Sequence, residues 1–579
     1  MSIIQFKEVN CKNCYKCIRS CPVKAIAFVN DQARIVESEC MLCGKCLTEC
    51  PQNAKSVASE TEKVKEFIRK KEKVYVSLAP SFIAAFDHDA EWLYAALLRL
   101  GFTYIEETAI GAQQVSKQYD RLITENKMEN IITSCCPSIN LLIQKYYPEL
   151  AGQLAPVVSP MLAHAKMLRE TYGPRIRVVF IGPCLSKKDE CNDLQNDGMV
   201  DAVITFEELA VWLREENIGA GTEFPEEFKR VRELKARLYP VPGGILKTLK
   251  AFRNNHYKMI SIDGVDRCMK ILESIKNDEL RKYFIEMNSC AGGCLAGPCM
   301  THIKGGFLAE RERLVDYLKQ GAREKTAALT QESLTRNSKI EMKKVFFDLS
   351  KKEEMPSEAV IQGILNSIGK FTPDKELNCG ACGYPTCRDK AIAVYHNKAQ
   401  LHMCLPYMRE RAESISNLII NTTPNAIFAL DPELRIQEAN SSARKLLELN
   451  DTELKGKSIF DLLPCEDFRN VIDSRESIYD KKYYYEKYDI TVEQSIIFVP
   501  EQNVVVAIIK DITGEEKTRR QMQKMREDNA EIAQKVIEKQ MRVAQEIASL
   551  LGETTAETKV ALTKLKKSIM TETETGDVG

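Results

Sequence analysis

A cysteine spacing that occurs twice near the start of the chain is the strongest constraint in this sequence. Each copy reads C-x2-C-x2-C-x3-C-P, and together they comprise Cys11, Cys14, Cys17, Cys21, Cys40, Cys43, Cys46 and Cys50. The remaining cysteines, of 21 in all, are also grouped, at residues 135–191, 268–299 and 379–404, with Cys465 alone. Scattered buried thiols would not cluster in this way, so metal binding or redox chemistry is the favoured use of these side chains.

The repeat is the spacing of bacterial two-cluster ferredoxins, in which the fourth cysteine of one run binds the cluster of the other. It predicts one 4Fe–4S cluster on Cys11, Cys14, Cys17 and Cys50, and a second on Cys40, Cys43, Cys46 and Cys21. Zinc knuckles are the alternative, but zinc sites rarely use three cysteines at x2-x2 followed by x3-C-P. Residues 1–60 are therefore predicted to form a ferredoxin-like two-cluster domain.

Charge and hydropathy limit the possible partners. Among 579 residues, Lys plus Arg equals Asp plus Glu at 82 each, so there is no electrostatic reason to expect binding to nucleic acid or an anionic membrane. No apolar run approaches the roughly 18 residues that a membrane span needs. The first residues lack the basic-then-apolar layout of a signal peptide. We expect a multidomain cytoplasmic protein.

Strand-like and helix-like segments alternate after a charged helical connector at 61–72. The predicted strands are 74–78, 131–132, 178–181 and 202–204, and the predicted helices include 95–100, 162–172 and 206–216. This alternation predicts an α/β domain with a largely parallel sheet and functional loops at the strand ends. Three such loops contain cysteines: TSCCP at 133–137, GPCLSKKDE at 182–190 and EMNSCAGGCLAGP at 286–298. Adjacent Cys135 and Cys136 cannot both bind one small cluster comfortably, so one is predicted to have another role.

These loops resemble, in order, the signatures TSCCP, PCxxKKxE and CxGGCxxG of the iron–iron (FeFe) hydrogenase catalytic domain. The resemblance covers roughly residues 1–345, and it implies a two-lobed α/β hydrogenase domain at 73–322. It also implies an H-cluster, a 4Fe–4S cube joined to a two-iron centre that carries carbon monoxide, cyanide and a bridging dithiolate. The implied ligands are Cys136, Cys184, Cys290 and Cys294, with Cys294 as the bridge.

The same resemblance implies roles for residues beside the cluster. Cys135 would relay protons, and Lys187 would bind a cyanide ligand. Glu190 would be a carboxylate one layer outside the residues that contact the cluster. Gly292 and Gly293 would let the backbone approach the cluster. On the residues alone, Cys135 could equally be a buried inert thiol, and Glu190 a solvated acid in a charged run.

Some positions depart from the family pattern. Asn288 and Gly182 stand where members usually have methionine, and the last loop ends in Gly297-Pro298-Cys299. Such departures resemble the divergent, sensory branches of the family. Cys191, Cys268 and Cys299 are predicted to be structural thiols.

A further cysteine group follows a predicted charged helical linker at 323–345. Cys379, Cys382, Cys387 and Cys404 have the spacing C-x2-C-x4-C-x16-C, and the residues between the last two are predicted to be helical. The pattern resembles a small four-cysteine iron–sulfur domain of some electron-transfer subunits and corrinoid proteins. Residues 346–411 are therefore predicted to hold a third accessory 4Fe–4S cluster, with zinc as the alternative.

The rest of the chain has the character of a signalling module. Residues 413–514 resemble a PAS domain that ends at Asp511-Ile512-Thr513. This segment lacks histidine, which argues against a histidine-ligated haem, and the sequence does not specify its ligand.

The segment 515–551 has the spacing of a heptad repeat, formed by Met522, Met525, Asn529, Ile532, Val536, Lys539 and Val543. The heptad predicts a dimeric coiled coil, with a helix packed on its own PAS domain as the alternative. Residues 552–579 are predicted to be helical and then disordered. No histidine follows His402, so the chain is not expected to be a histidine kinase.

Together these features predict an FeFe-hydrogenase-like enzyme that catalyses or senses H2 ⇌ 2H+ + 2e−, with a PAS and coiled-coil output. The expected partners are H2 and protons, ferredoxin or another redox protein, hydrogenase maturation enzymes, a kinase or phosphatase, and a second copy of the chain. A metabolic ferredoxin-dependent hydrogenase that uses PAS only for assembly is one alternative. A non-enzymatic iron–sulfur scaffold without the two-iron centre is the other.

Overall fold

The computed structural model of the chain describes residues 2–7, 10–196, 198–219, 235–251, 256–301, 303, 306–323, 340–351, 353–448, 454–551 and 559–564. It divides into two compact units, residues 1–408 and 409–579, and each is described by itself. The mixed α/β, multidomain architecture predicted from the sequence is confirmed. Among the described residues, no helix is both long and apolar enough to cross a membrane.

The first sixty residues form two small β-hairpin-like pairs around the cysteine motifs. Their elements are β1 Ile4–Phe6, α1 Lys16–Ser20, β2 Ile26–Val29, β3 Gln32–Ile35, α2 Lys45–Thr48 and β4 Lys55–Val57. β1 pairs with β4, and β2 with β3, both antiparallel. Each short helix begins after a residue in the left-handed region, Tyr15 or Gly44. This bend lets the closely spaced cysteines turn around a common centre.

The next segment contains two parallel sheets covered by helices. Its elements are α3 Thr61–Arg69, β5 Val74–Leu78, α4 Phe82–Ala85, α5 Ala90–Arg99, β6 Tyr104–Glu107, α6 Ala109–Glu125, β7 Ile131–Ile132, α7 Pro137–Tyr146, α8 Pro160–Tyr172, β8 Arg177–Gly182, α9 Ser186–Asn192, β9 Ala202–Thr205, α10 Phe206–Glu215, α11 Gly244–Thr248, β10 Lys258–Asp263, α12 Val265–Lys276, β11 Tyr283–Asn288 and α13 Gly306–Arg323. One sheet has the order β6-β5-β8-β9 and the other β10-β11-β7. β5 and β9 are buried along their whole length, as expected for parallel strands covered on both faces.

The cysteine loops follow three of these strands at their carboxyl ends. β7 leads into TSCCP and β11 into NSCAGGC, and these two strands are neighbours in one parallel sheet. β8 leads into PCLSKK from the other sheet. The carboxyl ends of parallel strands are where α/β folds build their sites, and here both sheets contribute.

The linker predicted to be helical at 323–345 is different in the structure. α13 ends at Arg323, and residues 324–339 lie outside the described part. Residues 340–349, which we call the strap, are extended: the Val158 N–H donates to the Met342 carbonyl at 2.9 Å, and the Leu349 N–H donates to the Gln144 carbonyl at 2.9 Å. Met342 and Lys344 are buried while their neighbours are exposed, which is the period-two pattern of a strand. The helical prediction was wrong for the strap because charge alone suggested a solvated helix.

The segment with the last four-cysteine motif contains α14 Glu358–Asn366 and α15 Cys387–Tyr395. The helix predicted to run from Cys387 to Cys404 stops at Tyr395, and Asn397 is in the left-handed region. A 3-10 turn at Leu401–Met403 then brings Cys404 back toward the other thiols.

The second unit is built around one antiparallel sheet. The remaining elements are α16 Leu405–Thr422, β12 Ala426–Leu430, β13 Ile436–Ala439, α17 Ser441–Leu446, α18 Asp467–Ser474, β14 Ile478–Tyr485, β15 Ile490–Val499, β16 Val504–Asp511 and α19 Thr513–Leu551. The sheet order is β13-β12-β16-β15-β14. β14 and β15 are joined by a short turn at residues 486–489, in which Asp489 adopts the left-handed region.

The long helix α19 displays its heptad residues to solvent. Met525 is 62% exposed and Ile532 59%, and Met522, Val536 and Val543 are exposed as well. The alternative of a helix whose apolar stripe packs on its own PAS domain is therefore wrong. Within the described residues nothing covers the stripe, and the dimeric coiled coil stays a prediction.

Candidate active site

The three loops bring four thiols to one pocket between the two parallel sheets. Cys136 precedes α7, with Pro137 at the first helical position, where its fixed φ suits a helix start. Cys184 follows β8, and Cys290 and Cys294 follow β11. All four line a single pocket, which we call the hydrogenase pocket. Residues 154 positions apart in the sequence thus meet because their strands end on the same side.

The pocket suits a group held by thiolates. Burial raises the pKa of Cys136, Cys290 and Cys294 above that of an exposed thiol. Buried thiols are held as thiolates by a bound cation, so iron is the kind of occupant that suits this pocket. A Cβ at Gly293, which also lines the pocket, would collide with the Pro240 carbonyl oxygen. Pro240 is thus the neighbour that requires glycine there, a reason different from the predicted approach to the cluster.

Lys187 and Glu190 form a buried ion pair on α9. The Lys187 Nζ lies 2.6 Å from Glu190 Oε2 and 3.3 Å from the carbonyl oxygen of Cys135. Burial alone would lower the pKa of Lys187, but the charge of Glu190 raises it above its usual value. Burial would likewise raise the pKa of Glu190, yet Lys187 and Lys344 hold it below its usual range. The reading of Glu190 as a solvated acid is wrong, because the side chain is buried.

Two further groups hold Glu190 in place. The Ser159 hydroxyl donates to its Oε2 at 2.9 Å, and Lys344 Nζ lies 3.7 Å from its Oε1. Lys344 belongs to the strap and also lies 3.3 Å from Asp193. This role could not be predicted, because Lys344 is one of several charged residues in an apparent linker.

Cys135 is a partly buried thiol with a hydroxyl partner. Its Sγ lies 3.1 Å from the hydroxyl of Tyr119, which is itself buried and accepts the Ser134 N–H at 3.1 Å. Burial raises the pKa of Cys135 to about 12, although Tyr119 and Lys187 act in the opposite direction. The side chain therefore carries a proton at neutral pH. Tyr119 lies on α6, sixteen residues away, and nothing in the sequence pattern singles it out.

A second buried acid, Glu286, lies on β11 four residues before Cys290. It accepts the N–H groups of Gly243 at 2.9 Å and Leu246 at 3.2 Å. Burial raises its pKa to about 7 despite these donors. Glu286 stands within the quoted loop EMNSC, but an acid at the end of a strand gives no signal of its burial.

The residues that depart from the family pattern have defined neighbours in the structure. Asn288 lines the hydrogenase pocket and directs its amide toward Glu286 Oε1 at 3.4 Å. A Cβ at Gly182 would lie 2.7 Å from the Phe180 ring and 2.9 Å from Ala79 Cβ, so no larger side chain fits there. Cys191, Cys268 and Cys299 are buried.

The eight cysteines of the two ferredoxin motifs fall into two groups, and the predicted exchange of their fourth cysteines stays a prediction. Cys11, Cys14, Cys17 and Cys50 line one pocket, the outer site. Cys21, Cys40, Cys43 and Cys46 form the second group, which we call the inner site. Burial raises the pKa of Cys43 to about 12, and the charges of Cys21 and Cys40 act in the same direction. Cys43 also lines the hydrogenase pocket.

The last motif builds a comparable pocket, the four-cysteine site, from Cys379, Cys382, Cys387 and Cys404. The buried Lys390 also lines it and donates to the Leu401 carbonyl at 2.8 Å. An ammonium group beside the thiols suits an anionic, thiolate-bound cluster. The space enclosed is about 340 Å³, against 370 Å³ for the outer site and 370 Å³ for the hydrogenase pocket, solvent at the mouth included. Within the described residues, no three His, Cys, Asp or Glu side chains converge on a single metal ion.

Family models match four parts of the chain. Residues 3–51 match a 4Fe-4S dicluster domain, and residues 72–298 match the iron only hydrogenase large subunit, C-terminal domain. Residues 376–406 match an Fe-S cluster family, and residues 417–482 match the PAS fold.

Curated relatives are similar over less than half of this chain. Iron hydrogenase 1 of Clostridium pasteurianum is 29% identical over 310 residues, 43% of this chain and 54% of the relative, so the chain spans about half of that protein. The periplasmic Fe hydrogenase large subunit of Nitratidesulfovibrio vulgaris is 26% identical over 41% of this chain and 68% of its own length. A cytosolic Fe-S cluster assembly factor of Vanderwaltozyma polyspora is 27% identical over 27% of this chain and 32% of its own length.

Solved structures share a lower sequence identity with this chain. An FeFe-hydrogenase from Chlamydomonas reinhardtii covers 51% of this chain and 100% of its own, with 16% identity and a TM-score of 0.37. A PAS domain from Haloarcula marismortui covers 18% of this chain and 97% of its own, with 19% identity and a TM-score of 0.16. On these matches, the chain is an FeFe-hydrogenase-like iron–sulfur protein: residues 72–298 match the iron-only hydrogenase large-subunit domain, and other parts match a 4Fe-4S dicluster domain and a PAS domain.

Proposed function

We propose that this protein is an FeFe-hydrogenase-type oxidoreductase that catalyses H2 ⇌ 2H+ + 2e− and uses the reaction to sense hydrogen or redox state. The convergence of Cys136, Cys184, Cys290 and Cys294 on one pocket carries the proposal. Similarity to two hydrogenases supports it, although over part of the chain. The bound H-cluster would supply the two-iron centre at which hydrogen is split or formed.

In this proposal Cys136, Cys184, Cys290 and Cys294 would hold the cluster as thiolates, and Cys294 would be the ligand shared with the two-iron centre. Cys294 lines the pocket with the other three thiols. Lys187 would supply an ammonium donor to a cyanide ligand of the bound group. Glu190, held by Ser159 and Lys344, fixes the position of Lys187 and compensates its charge.

Cys135 holds the transferable proton at its Sγ. A thiol that stays protonated at neutral pH is a proton donor when hydrogen forms and regains its proton when hydrogen is split. The Tyr119 hydroxyl, 3.1 Å away, orients that thiol. The contact supports a relay over an inert thiol, because a packing cysteine needs no hydroxyl partner.

The sensing role rests on the PAS domain and α19. A hydrogenase that only served metabolism would need neither a PAS domain nor a long helix with an exposed apolar stripe. We infer that α19 pairs with a second copy and that a kinase or phosphatase reads the state of the pair.

Infrared spectroscopy after co-expression with hydrogenase maturation enzymes tests the catalytic proposal. We expect iron–carbonyl and iron–cyanide bands, and their absence would exclude both hydrogenase functions. The sensing proposal predicts that hydrogen changes the activity or binding of the partner kinase or phosphatase. Fast turnover with ferredoxin and no effect of hydrogen on that partner would favour the metabolic alternative.

A non-enzymatic iron–sulfur role is the second candidate, because one relative is named as an Fe-S cluster assembly factor. A plain cube needs neither Cys135 nor the Lys187–Glu190 pair, and here Lys187 contacts both Glu190 and the Cys135 carbonyl. Iron–sulfur clusters in normal amount with no infrared bands after maturation would support this candidate.

A further inference from the structure

We propose that the inner site is an electron junction: it connects the hydrogenase pocket on one side with the four-cysteine site on the other. The inference rests on the proposed function for the source of the electrons. It specifies that the four-cysteine site is reached through the ferredoxin segment and has no direct connection to the hydrogenase pocket.

The hydrogenase side of the junction is formed by Cys43 and its neighbours. Cys43 and Leu42 both line the hydrogenase pocket, so an inner-site ligand lies in its wall. The Ser138 hydroxyl, on α7, donates to the Leu42 carbonyl at 3.1 Å. A Cβ at Gly44 would lie only 2.5 Å from Pro298 Cβ and 2.7 Å from Leu185 Cδ2. The two sites are therefore in direct van der Waals contact.

The opposite side is formed by Cys21 and helix α1. Cys382 belongs to the same buried apolar cluster as Cys21 and Ile18. A Cβ at Gly383 would lie 2.7 Å from Ile18 Cγ2, and Arg19 Nη1 donates to the Ala381 carbonyl at 3.0 Å. This loop is therefore packed directly against α1 at Ile18.

A second set of contacts fixes the four-cysteine segment on the ferredoxin segment. The Phe28 N–H donates to the Lys398 carbonyl at 2.8 Å, and Lys398 Nζ lies 2.9 Å from Glu39. The interface is thus held by backbone and charge as well as by the apolar contact at Ile18.

One cation is shared by the two sites. Lys24 is half-buried, and its Nζ donates to the carbonyls of Ile18 and Arg19 at 3.1 Å each. After the opposing effect of burial, the charges that act on it most are those of Cys21 and Cys382, one thiol from each site. A positive charge between two electron-accepting centres favours the reduced form of both.

The junction leads to two exits at the surface. Cys14 of the outer site and Cys379 of the four-cysteine site are exposed. Cys404 is followed at once by α16, the helix that enters the PAS domain. Electrons reaching Cys14 would pass to a soluble carrier, whereas those reaching the four-cysteine site would change the charge at the first turn of that helix.

The accessory sites can accept all the electrons that one H2 molecule releases. One H2 gives two protons, which pass to solvent, and two electrons. Each accessory 4Fe–4S site takes one electron, from the 2+ to the 1+ state. One turnover therefore reduces two of the three accessory sites without an added oxidant.

Electron paramagnetic resonance of the full-length holoprotein reduced with dithionite tests the junction without any need for hydrogen turnover. We expect the signal of the four-cysteine site to be split by the reduced inner site. Cys387→Ala should remove that signal and simplify the signal of the inner site, whereas Cys11→Ala should leave the splitting unchanged. An unsplit signal in the wild-type protein, or splitting that disappears in Cys11→Ala, would overturn the proposal.

A variant at the contact between the four-cysteine segment and α1 tests the proposal without changing any cysteine. Gly383→Ala should weaken the splitting at unchanged iron content, because the new Cβ pushes the loop away from Ile18. The matched control is Gly363→Ala, since a Cβ there meets nothing within 4 Å, and its spectrum should be that of the wild type. Splitting that is equal in both variants would contradict the packing of the Gly383 loop against Ile18 of α1. Missing infrared bands with intact splitting would reject the proposed function and leave the junction standing.

Discussion

Single residues around the hydrogenase pocket have separable roles, and Cys135 gives the clearest case. Cys135→Ala should keep the iron–carbonyl and iron–cyanide bands, because the four ligands remain. Hydrogen turnover should fall by about 100-fold or more, as expected on loss of a positioned proton donor. Infrared spectra and hydrogen uptake measured on the same preparation check this. Cys465→Ala, in the PAS core, is the control and should turn over normally; full turnover in Cys135→Ala would mean that protons take another route.

Glu286 links stability to pH. Burial raises its pKa to about 7, against about 4.3 for an exposed glutamate. The folded protein therefore binds this proton more tightly than the unfolded chain, and stability should fall by on the order of 3 kcal/mol as pH rises between these two values. Thermal unfolding midpoints should decline over this interval in the wild type and decline less in Glu286→Gln. The surface variant Glu279→Gln should keep the wild-type slope, and an unchanged slope in Glu286→Gln would argue against the raised pKa.

At the scale of elements, the strap connects the Glu190 carboxylate to the segment before the four-cysteine site. Lys344→Met removes a buried charge beside Glu190 and Asp193 and should cost about 1–3 kcal/mol, because the partner carboxylates stay buried. Lys343→Met changes the neighbouring, exposed position and should be nearly neutral. Thermal unfolding of both variants is the measurement; equal midpoints would show that Lys344 contributes nothing to Glu190.

The exposed stripe of α19 predicts a dimer. Val536→Asp places a charge in the predicted coiled-coil interface and should convert the dimer to a monomer of 65.6 kDa. Gln534→Asp introduces the same side chain two residues away, on the opposite face, and should leave the dimer intact. Light scattering after size-exclusion chromatography gives both masses. A wild-type protein that is already a monomer would contradict the predicted coiled coil.

At the scale of the whole molecule, the metal content decides what the four-cysteine site holds. Cys387→Ala should lower iron and acid-labile sulfide by the content of one 4Fe–4S cluster and leave zinc unchanged. Elemental analysis and a sulfide assay on the purified protein measure this. A loss of zinc with constant iron would favour the zinc alternative.

Much of this organisation could be predicted from the sequence because its ligands are close together along the chain. The repeat at residues 11–50 indicates its own partners, since three of each four cysteines lie within seven residues. The order of the three hydrogenase loops indicated the fold of residues 72–298 in the same way. Tyr119 and Lys344 could not be predicted, because their positions depend on how α6 and the strap pack. The strap itself was mistaken for a helix, because its backbone partners Val158 and Gln144 are distant in sequence.

The distribution of ligands along the chain also has a consequence for biosynthesis. Both ferredoxin sites are complete once Cys50 has left the ribosome, whereas the hydrogenase pocket needs Cys136, Cys184 and Cys294. Segments made first fold first during translation. The nascent chain can thus load its two ferredoxin clusters while the pocket does not yet exist, and maturation proteins meet a hydrogenase fold whose neighbouring electron carrier is already in place.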